Sequence, residues 1–208
     1  MKSNEMYPKL WPCGKFLAAC GEIQLSKFIV KFSKFDLKYL RLYEQKLSWE
    51  DYQILTSSGS LERLELVSSE VRYSDGTIFT VEKLLQNLHQ LKILKLEDYH
   101  AEIFETDTIK NLVAILPKCK HLRGLHFLNL TETFDFLSFK GYILANENVN
   151  IVLKYKYTVP LSFGYVQMLN NFIDKILKNP PKKIPDINYL DLDNDRYREY
   201  QKLRRGFT

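Results

Sequence analysis

Cysteine is scarce in this chain, and its scarcity excludes two kinds of small stabilised fold. Only Cys13, Cys20 and Cys119 occur, and no pair has C-x-x-C spacing. An odd set with these spacings indicates neither a disulfide framework nor a four-ligand zinc site. Because disulfide-poor chains are typical of reducing compartments, we expect an intracellular protein, either cytoplasmic or nuclear.

The common catalytic signatures are also missing. The sequence contains no G-x-G-x-x-G, G-x-x-x-x-G-K-[S/T], H-E-x-x-H or G-x-S-x-G motif, so the usual nucleotide-binding, zinc-protease and serine-hydrolase patterns are absent. The histidines His89, His100, His121 and His126 are scattered and show no arrangement of a base with an orienting group. We therefore predict that the chain is not an enzyme, with no catalytic residues and no cofactor.

Long apolar runs and complete metal-binding loops are lacking as well. No apolar run approaches the about 20 residues that a bilayer-spanning helix needs, so we expect no membrane interaction. Asp191, Asp193 and Asp195 alternate like half of a calcium loop. The sixth and twelfth positions of that loop should be Gly and an acid, but Arg196 and Lys202 stand there. The sequence therefore predicts no metal site.

Apolar and aromatic residues, by contrast, are plentiful. The 208 residues are 45% hydrophobic and include 13 Phe and 13 Tyr, enough for one sizeable core with at most an appendage. Lys and Arg number 30 against 25 Asp and Glu, a net charge of +5. That mild excess falls short of the concentrated basic stripe expected of a dedicated nucleic-acid binder, so we do not expect nucleic acid as the main partner.

A leucine pattern repeats through the middle of the chain. The pattern L-x-x-L-x-L, once with Phe as its last member, begins at four places separated by 24, 30 and 31 residues. The four copies are Leu37-Leu40-Leu42, Leu61-Leu64-Leu66, Leu91-Leu94-Leu96 and Leu122-Leu125-Phe127. This pattern, at periods of roughly 20 to 29 residues, is typical of leucine-rich repeats. The longer spacings predict irregular repeats with enlarged outer segments.

The repeat departs from its consensus at one position. Eight places after the first leucine, where Asn or Cys is usual, stand Gln45, Ser69, Tyr99 and Leu130. In regular repeats that side chain can satisfy backbone groups in the turn after the strand. Its replacement predicts a less regular solenoid.

Helix signals follow the strand-like segments. Cap-forming residues precede apolar residues at one-face spacing at Ser48, at Thr80 and within Thr106-Asp107-Thr108. A longer apolar stripe between Ser162 and Asn179 predicts a further helix, which caps the end of the repeat. Each predicted strand is thus joined to the next through a helix, as a strand-plus-helix repeat requires.

The predicted fold class is α/β: a short, irregular leucine-rich-repeat-like solenoid, with a curved parallel sheet and helices on its outer face. Leu25-Phe28-Val30 also fits the motif but precedes Leu37 too closely for a full unit, so we predict an N-terminal capping strand there. Residues 149–155 alternate and predict a last strand. The predicted boundaries are an N-terminal segment at 1–24, a repeat domain at 25–160, and a capping helix with a charged tail at 161–208.

Strand alternation also assigns a binding surface. If the second leucine of each motif points inward, its neighbours point outward and line the concave face. The partner-binding residues predicted on this face are Tyr39, Arg41, Tyr43, Arg63, Glu65, Ile93, Lys95 and His126. Its central column runs Arg41, Glu65, Lys95, His126. Because opposite charges on neighbouring strands stabilise a sheet, mutual pairing of these side chains is the alternative to partner binding.

Three stretches together resemble a known family. They are Leu-Lys-Tyr-Leu-Arg-Leu at 37–42, the segment from Ser-Trp-Glu-Asp-Tyr to Leu-Glu-Leu at 48–66, and Asp-Gly-Thr-Ile-Phe-Thr-Val-Glu-Lys-Leu-Leu-Gln-Asn-Leu at 75–88. They look like the C-terminal leucine-rich-repeat-like region of the nematode F-box proteins, and the likeness covers roughly residues 35–155. In that family the F-box docks on a Skp-type adaptor of a cullin ubiquitin ligase, while the repeat region is presumed to select a target protein.

The resemblance does not extend to the F-box itself. Residues 1–24 are too short for its three helices and lack its leucine-proline opening, which argues against binding of a Skp-type adaptor. A relative that lost the box and an incomplete gene model both fit this departure. We predict a protein-interaction module with an unknown target protein, related to the target-recognition part of F-box ubiquitin-ligase receptors. The alternative is a weak nucleic-acid binder that uses the basic stretch from Arg196 to Arg205.

Overall fold

The computed structural model describes residues 11–19, 25–32, 34–98, 101–104, 107–190 and 192–206. Cys20, Tyr99, His100, Thr106 and Asp191 lie outside the described residues. The described strands are β1 (Cys13–Ala18), β2 (Asp36–Tyr43), β3 (Lys46–Ser48), β4 (Arg63–Val67), β5 (Glu70–Arg72), β6 (Ile93–Glu97), β7 (Gly124–Leu130), β8 (Asn150–Tyr155) and β9 (Asp186–Asn188).

Seven of these strands form one parallel sheet, so the α/β class is confirmed. Their spatial order is β1-β2-β4-β6-β7-β8-β9, and every neighbouring pair is parallel. Each strand therefore lies beside the strands that flank it in the chain, apart from β3 and β5, which form a separate two-stranded parallel sheet. The main sheet includes strands from all three predicted segments, because β1 lies before residue 25 and β9 after residue 160.

The leucine motifs are in register across the four central strands. Leu40 pairs with Leu64, Leu64 with Leu94, and Leu94 with Leu125, and all four side chains are fully buried. The sequence prediction of one inward-facing column is therefore confirmed. A parallel sheet covered on this face buries such runs of leucine, which explains why the motif tolerates only large apolar residues there.

The four repeats also share a backbone feature. One residue just after the leucine pattern has a positive φ in every copy: Glu44 at 52°, Ser68 at 47°, Asp98 at 49° and Asn129 at 59°. Each stands seven places after the first leucine of its motif. Left-handed conformations are uncommon outside glycine, so their recurrence shows that the four copies share a backbone conformation at this motif position. In the first three copies it directly follows the strand, and in the fourth it lies at an irregularity within β7.

Helices lie between most of the strands, and the sequence predicted some of them. The helices are α1 (Leu25–Ile29), α2 (Trp49–Thr56), α3 (Val81–Leu84), α4 (Thr108–Ile115), α5 (Phe136–Ala145), α6 (Phe163–Lys178) and α7 (Asn194–Gly206). Ser48 caps α2 as predicted, and Ser162, where the predicted apolar stripe begins, caps α6; each hydroxyl accepts a hydrogen bond from a backbone N–H in the first turn. Asp107 occupies the N-cap of α4, but its side chain makes no cap hydrogen bond.

Two local predictions are wrong. The segment from Leu25 begins with helix α1 rather than a capping strand, because Leu25 and Ile29, four residues apart, bury one helical face. The strand that precedes β2 in the sheet is β1 instead. The predicted cap at Thr80 also fails: Thr80 occupies the N-cap of α3, but its side chain makes no cap hydrogen bond, and the helix ends after four residues at Leu84.

The core lies between the helices and the leucine face of the sheet. One continuous cluster of buried side chains joins the strand leucines to helix residues such as Leu55, Leu112 and Ile173. The ring of Phe127 on β7 lies 5.8 Å from that of Phe104 and 6.0 Å from that of Phe139 on α5. The helices thus occupy the leucine side, and the opposite side of the central strands carries the polar residues.

Candidate functional site

The polar face of the sheet brings together all eight residues predicted for partner binding. Tyr39, Arg63 and Ile93 occupy one row of paired positions across β2, β4 and β6. Arg41, Glu65, Lys95 and His126 form the next row, and Tyr43 stands in the third. The predicted register of this face is therefore correct.

Glu65 differs from its neighbours because it is buried. Only 2% of the residue is exposed, although it stands on the polar face. Its carboxylate accepts a hydrogen bond from Arg63 Nε at 2.6 Å and lies 3.5 Å from Arg41 Nε. The two arginine side chains are 45% and 44% exposed. They cover the acid, so an incoming partner meets guanidinium groups there and not the carboxylate.

The charge-pairing alternative explains only part of this row. Arg41 and Glu65 pair across strands as that alternative requires, but Lys95 Nζ contacts Glu97 Oε2 on its own strand at 2.6 Å. Among the described residues Lys95 makes no ion pair with Glu65. Arg63, which the alternative did not include, is the closest partner of Glu65.

Tyr39 is held by two cations. Lys15 Nζ on β1 lies 4.9 Å from the centre of its ring, and the guanidinium carbon of Arg63 lies 5.0 Å from it. Cations over an aromatic face are attracted by the ring quadrupole. The row therefore presents a fixed aromatic ring with basic groups beside it.

His126, on β7, is the last residue of the central row and lies beside Lys95. Its Nε2 lies 3.3 Å from Asn150 Nδ2 on β8. Gly124 leaves room for the ring, since a Cβ built there would come within 3.4 Å of His126 Nε2. Burial, followed by the nearby charges of Arg63 and Lys95, holds the pKa of His126 below its usual value. At neutral pH the imidazole is therefore neutral, and the net positive charge of this face comes from Arg41, Arg63 and Lys95.

Sequence reasoning missed a row of ion-paired residues beside this face. Lys38, Glu62 and Lys92 form a row at the start of the strands, with Lys92 Nζ 2.5 Å and Lys38 Nζ 3.7 Å from the carboxylate of Glu62. The hydrogen bond from Lys92 lowers the pKa of Glu62. These residues directly follow the first leucine of each motif, so that motif position was the available signal. Lys15 and Asp186, in contrast, lie on β1 and β9, which carry no leucine motif.

Reactive groups elsewhere in the described part of the chain are isolated. No three His, Cys, Asp or Glu side chains there are grouped so that they could hold a metal ion. Cys119 is buried, and burial raises the pKa of its thiol. Its Sγ lies 3.8 Å from the carbonyl oxygen of Leu88. A protonated, enclosed thiol is a poor nucleophile, so Cys119 acts as part of the core.

The basic tail predicted as a nucleic-acid contact is the last helix, α7. Arg196 pairs with Asp174 and Arg204 with Asp186, each at 2.9 Å, and Arg198 pairs with Asp195 at 3.3 Å. The first two pairs tie α7 to α6 and β9. Phosphate binding depends on cations that can replace counterions, and these arginines already have acidic partners within the chain.

Comparisons complete the description of the site. A scan against protein-family models, a search of curated proteins and a search of solved structures each found no match for this chain. None of the described helices is long and apolar enough to cross a bilayer.

Proposed function

We propose that this chain is a non-enzymatic protein-interaction module, built as a short leucine-rich-repeat-like solenoid, whose polar sheet face binds a partner protein. The observation that carries the proposal is the surface formed by Tyr39, Arg41, Arg63 and Lys95 across three adjacent strands. Arginine and tyrosine are enriched at protein interfaces. Here they are fixed in place by contacts within the chain, which reduces the entropy lost on binding.

The solenoid part of the proposal rests on repetition. Four strands share the leucine register and a left-handed residue at the same motif position. Where the consensus side chain is missing, substitutes satisfy the turn: the Ser69 hydroxyl accepts from Gln45 N and donates to Val67 O, both at 2.9 Å. Such a backbone-satisfying role is the one that the consensus residue plays in regular repeats.

The cellular role proposed here comes from the family resemblance. We infer an intracellular target-recognition region like that of the F-box receptors of cullin ubiquitin ligases, because residues 37–42, 48–66 and 75–88 resemble that family. The partner on the polar face is then a protein selected for ubiquitination. The basic groups around Glu65 favour an acidic patch on that partner, because complementary charge promotes specific association.

Affinity purification from cells with quantitative mass spectrometry tests the proposal. The parent chain is compared with the double variant Arg41→Ala and Tyr43→Ala, which removes two exposed side chains from the polar face. The matched control is Ile54→Ala with Lys118→Ala, which removes one apolar and one basic side chain exposed on the helix side.

We expect at least one protein to be enriched with the parent and the control and to be reduced about tenfold or more with the face variant. A loss of about 1.4 kcal/mol in binding corresponds to that factor. Equal recovery by all three chains contradicts binding through this face. Cullin-ligase subunits among the proteins recovered with the parent would support the ubiquitination role, and their consistent absence would count against that role alone.

A further inference from the structure

A groove on the helix side of the molecule lies between α5 and α6 and has a volume of about 570 Å³. Leu144, Met168 and Phe172 provide its apolar lining, and Lys140, Asn171 and Lys175 provide polar groups. The rings of Phe136 on α5 and Phe172 on α6 lie 5.1 Å apart, which joins the two helices. Because α5 packs on the leucine face of the sheet, this groove is separate from the polar face.

The wall of the groove on α5 contains a glycine that none of the described residues requires. Gly141 lies within the helix and does not have a positive φ, and a Cβ built on it meets no atom within 4 Å. Glycine inside a helix is less favourable than alanine. Neither backbone conformation nor internal packing accounts for it, whereas close approach of an outside group to the helix backbone does.

The shape of the groove suits a helix. The lining residues on α6 run from Gly164 through Met168 and Asn171 to Lys175, at spacings of three and four residues on one helical face. Eleven helical steps span about 16 Å, or roughly three turns. On α5, Leu137 stands one turn before Gly141 and is 58% exposed, which extends the apolar surface. Amphipathic helices bind grooves of this kind through apolar side chains at i, i+3, i+4 and i+7.

The charge of the groove selects the type of helix. Lys140 and Lys175 are its only charged lining residues, and neither makes an ion pair in the part of the chain that the structure describes. Asp174, the neighbour of Lys175, is paired with Arg196 instead. Two unpaired cations beside an apolar lining complement a ligand that has acidic side chains along an apolar stripe.

We propose that the α5–α6 groove is a second interaction surface, which binds an acidic amphipathic helical segment of a partner protein. This proposal goes beyond binding at the polar face and does not depend on it. Bound as a third helix against α5 and α6, the segment covers the partly buried Leu144 and Met168, and its acids pair with Lys140 and Lys175.

A display selection provides the test. Random 16-residue peptides are selected on the full chain by mRNA display, and recovered peptides are measured by fluorescence anisotropy. Four variants are compared with the parent. Two change the groove: Gly141→Leu, which fills it where there is open space, and Lys140→Glu with Lys175→Glu. The control Lys27→Glu with Lys118→Glu makes the same net charge change at exposed positions elsewhere, and Arg41→Ala with Tyr43→Ala changes the polar face. Thermal melts confirm that each variant is folded.

We expect recovered peptides to be richer in Asp and Glu than the library, with apolar residues at helical spacing. Their affinity should fall at least tenfold for Gly141→Leu and for the groove charge reversal, and change less than threefold for the control. Failure to enrich such peptides, or equal binding to all variants, overturns the proposal. A homodimer in sedimentation analysis that Gly141→Leu dissociates would identify a second copy as the occupant and also overturn it. Peptides that lose affinity only with Arg41→Ala and Tyr43→Ala overturn it while supporting the polar face.

Discussion

The two faces of the same four strands follow different rules. On the inward face Leu40, Leu64, Leu94 and Leu125 are one residue type in one environment, with no exposure at any position. One residue further along each strand, the outward face places an arginine, a buried acid, a lysine and a neutral histidine. Close packing against the helices restricts the inward positions to side chains of one size and polarity. The outward positions accept any side chain that suits its neighbours, so their residue types can vary.

The inward face should respond most strongly to mutation. We expect Leu94→Ala to lower the free energy of unfolding by about 2 to 5 kcal/mol, because it removes buried apolar contacts and leaves a cavity. The strand that carries Leu94 pairs with the strands that carry Leu64 and Leu125, so the change should also loosen those two strands. Urea denaturation measures the loss in the free energy of unfolding, and hydrogen exchange shows which strands are loosened. A loss below 1 kcal/mol would show that Leu94 does not belong to a close-packed column.

The regularity of that column explains which parts of the fold were predictable. Leucines at fixed spacing specify both the strand and the side that it buries, so the register of β2, β4, β6 and β7 and the membership of the polar face followed from the sequence. The cap Ser48 and the helix that follows Ser162 were predictable for a similar reason, since a hydroxyl before an amphipathic stripe favours a helix N-terminus.

The unpredicted elements lie outside the four leucine motifs. The sequence of β1, Cys-Gly-Lys-Phe-Leu-Ala, carries no leucine pattern, and its place in the sheet depends on pairing with β2. Strand β9 is three residues long and is held by β8. Helix α5 did have buried residues at helical spacing, Phe136, Phe139, Tyr142 and Ile143, but they are mostly aromatic and lie outside the leucine pattern. The burial of Glu65 arises from three strands meeting and has no signature in any one of them.

Glu65 is buried although it stands on the outward face. Its removal should therefore lower the free energy of unfolding more than the removal of other outward side chains, though less than Leu94→Ala does. We expect Glu65→Ala to destabilise the chain by about 1 to 3 kcal/mol, because hydrogen bonds to a charged group are lost and Arg41 and Arg63 are left close together. The effect should be moderate rather than extreme, since both guanidinium groups reach solvent. Glu97→Ala is the matched control on the same face: its carboxylate is 28% exposed. Equal losses for the two variants in urea melts would mean that burial of Glu65 has no special importance.

Lys95 tests the ordinary behaviour of the outward face. We expect Lys95→Ala to change the free energy of unfolding by less than about 1 kcal/mol, because its pair with Glu97 is partly exposed and screened. Adding 0.5 M salt to the parent should reduce that small contribution further, since salt screens exposed pairs. Lys95 and Leu94 are adjacent and are assigned to opposite faces. If Lys95→Ala lowered the free energy of unfolding as much as Leu94→Ala, that assignment would be wrong.

His126 should show the smallest of these effects. It stands on the outward face but is partly buried. Its pKa is lowered in the folded chain by burial and then by Arg63 and Lys95, against the opposing influence of Glu65 and Asp186. The unfolded chain therefore takes up a proton at a higher pH than the folded chain does, and acid favours unfolding through this group. Its stabilising contribution is complete above the unfolded pKa, about 6.5, and decreases as the pH falls towards the lower folded value.

We expect the parent to lose stability between pH 7.5 and pH 5 more steeply than His126→Gln, which cannot titrate. Urea melts at each pH measure the difference, and His121→Gln, which changes a histidine outside the polar face, serves as the control. Parallel pH profiles for the parent and His126→Gln would show that the neighbouring cations and the partial burial have no net effect on this imidazole.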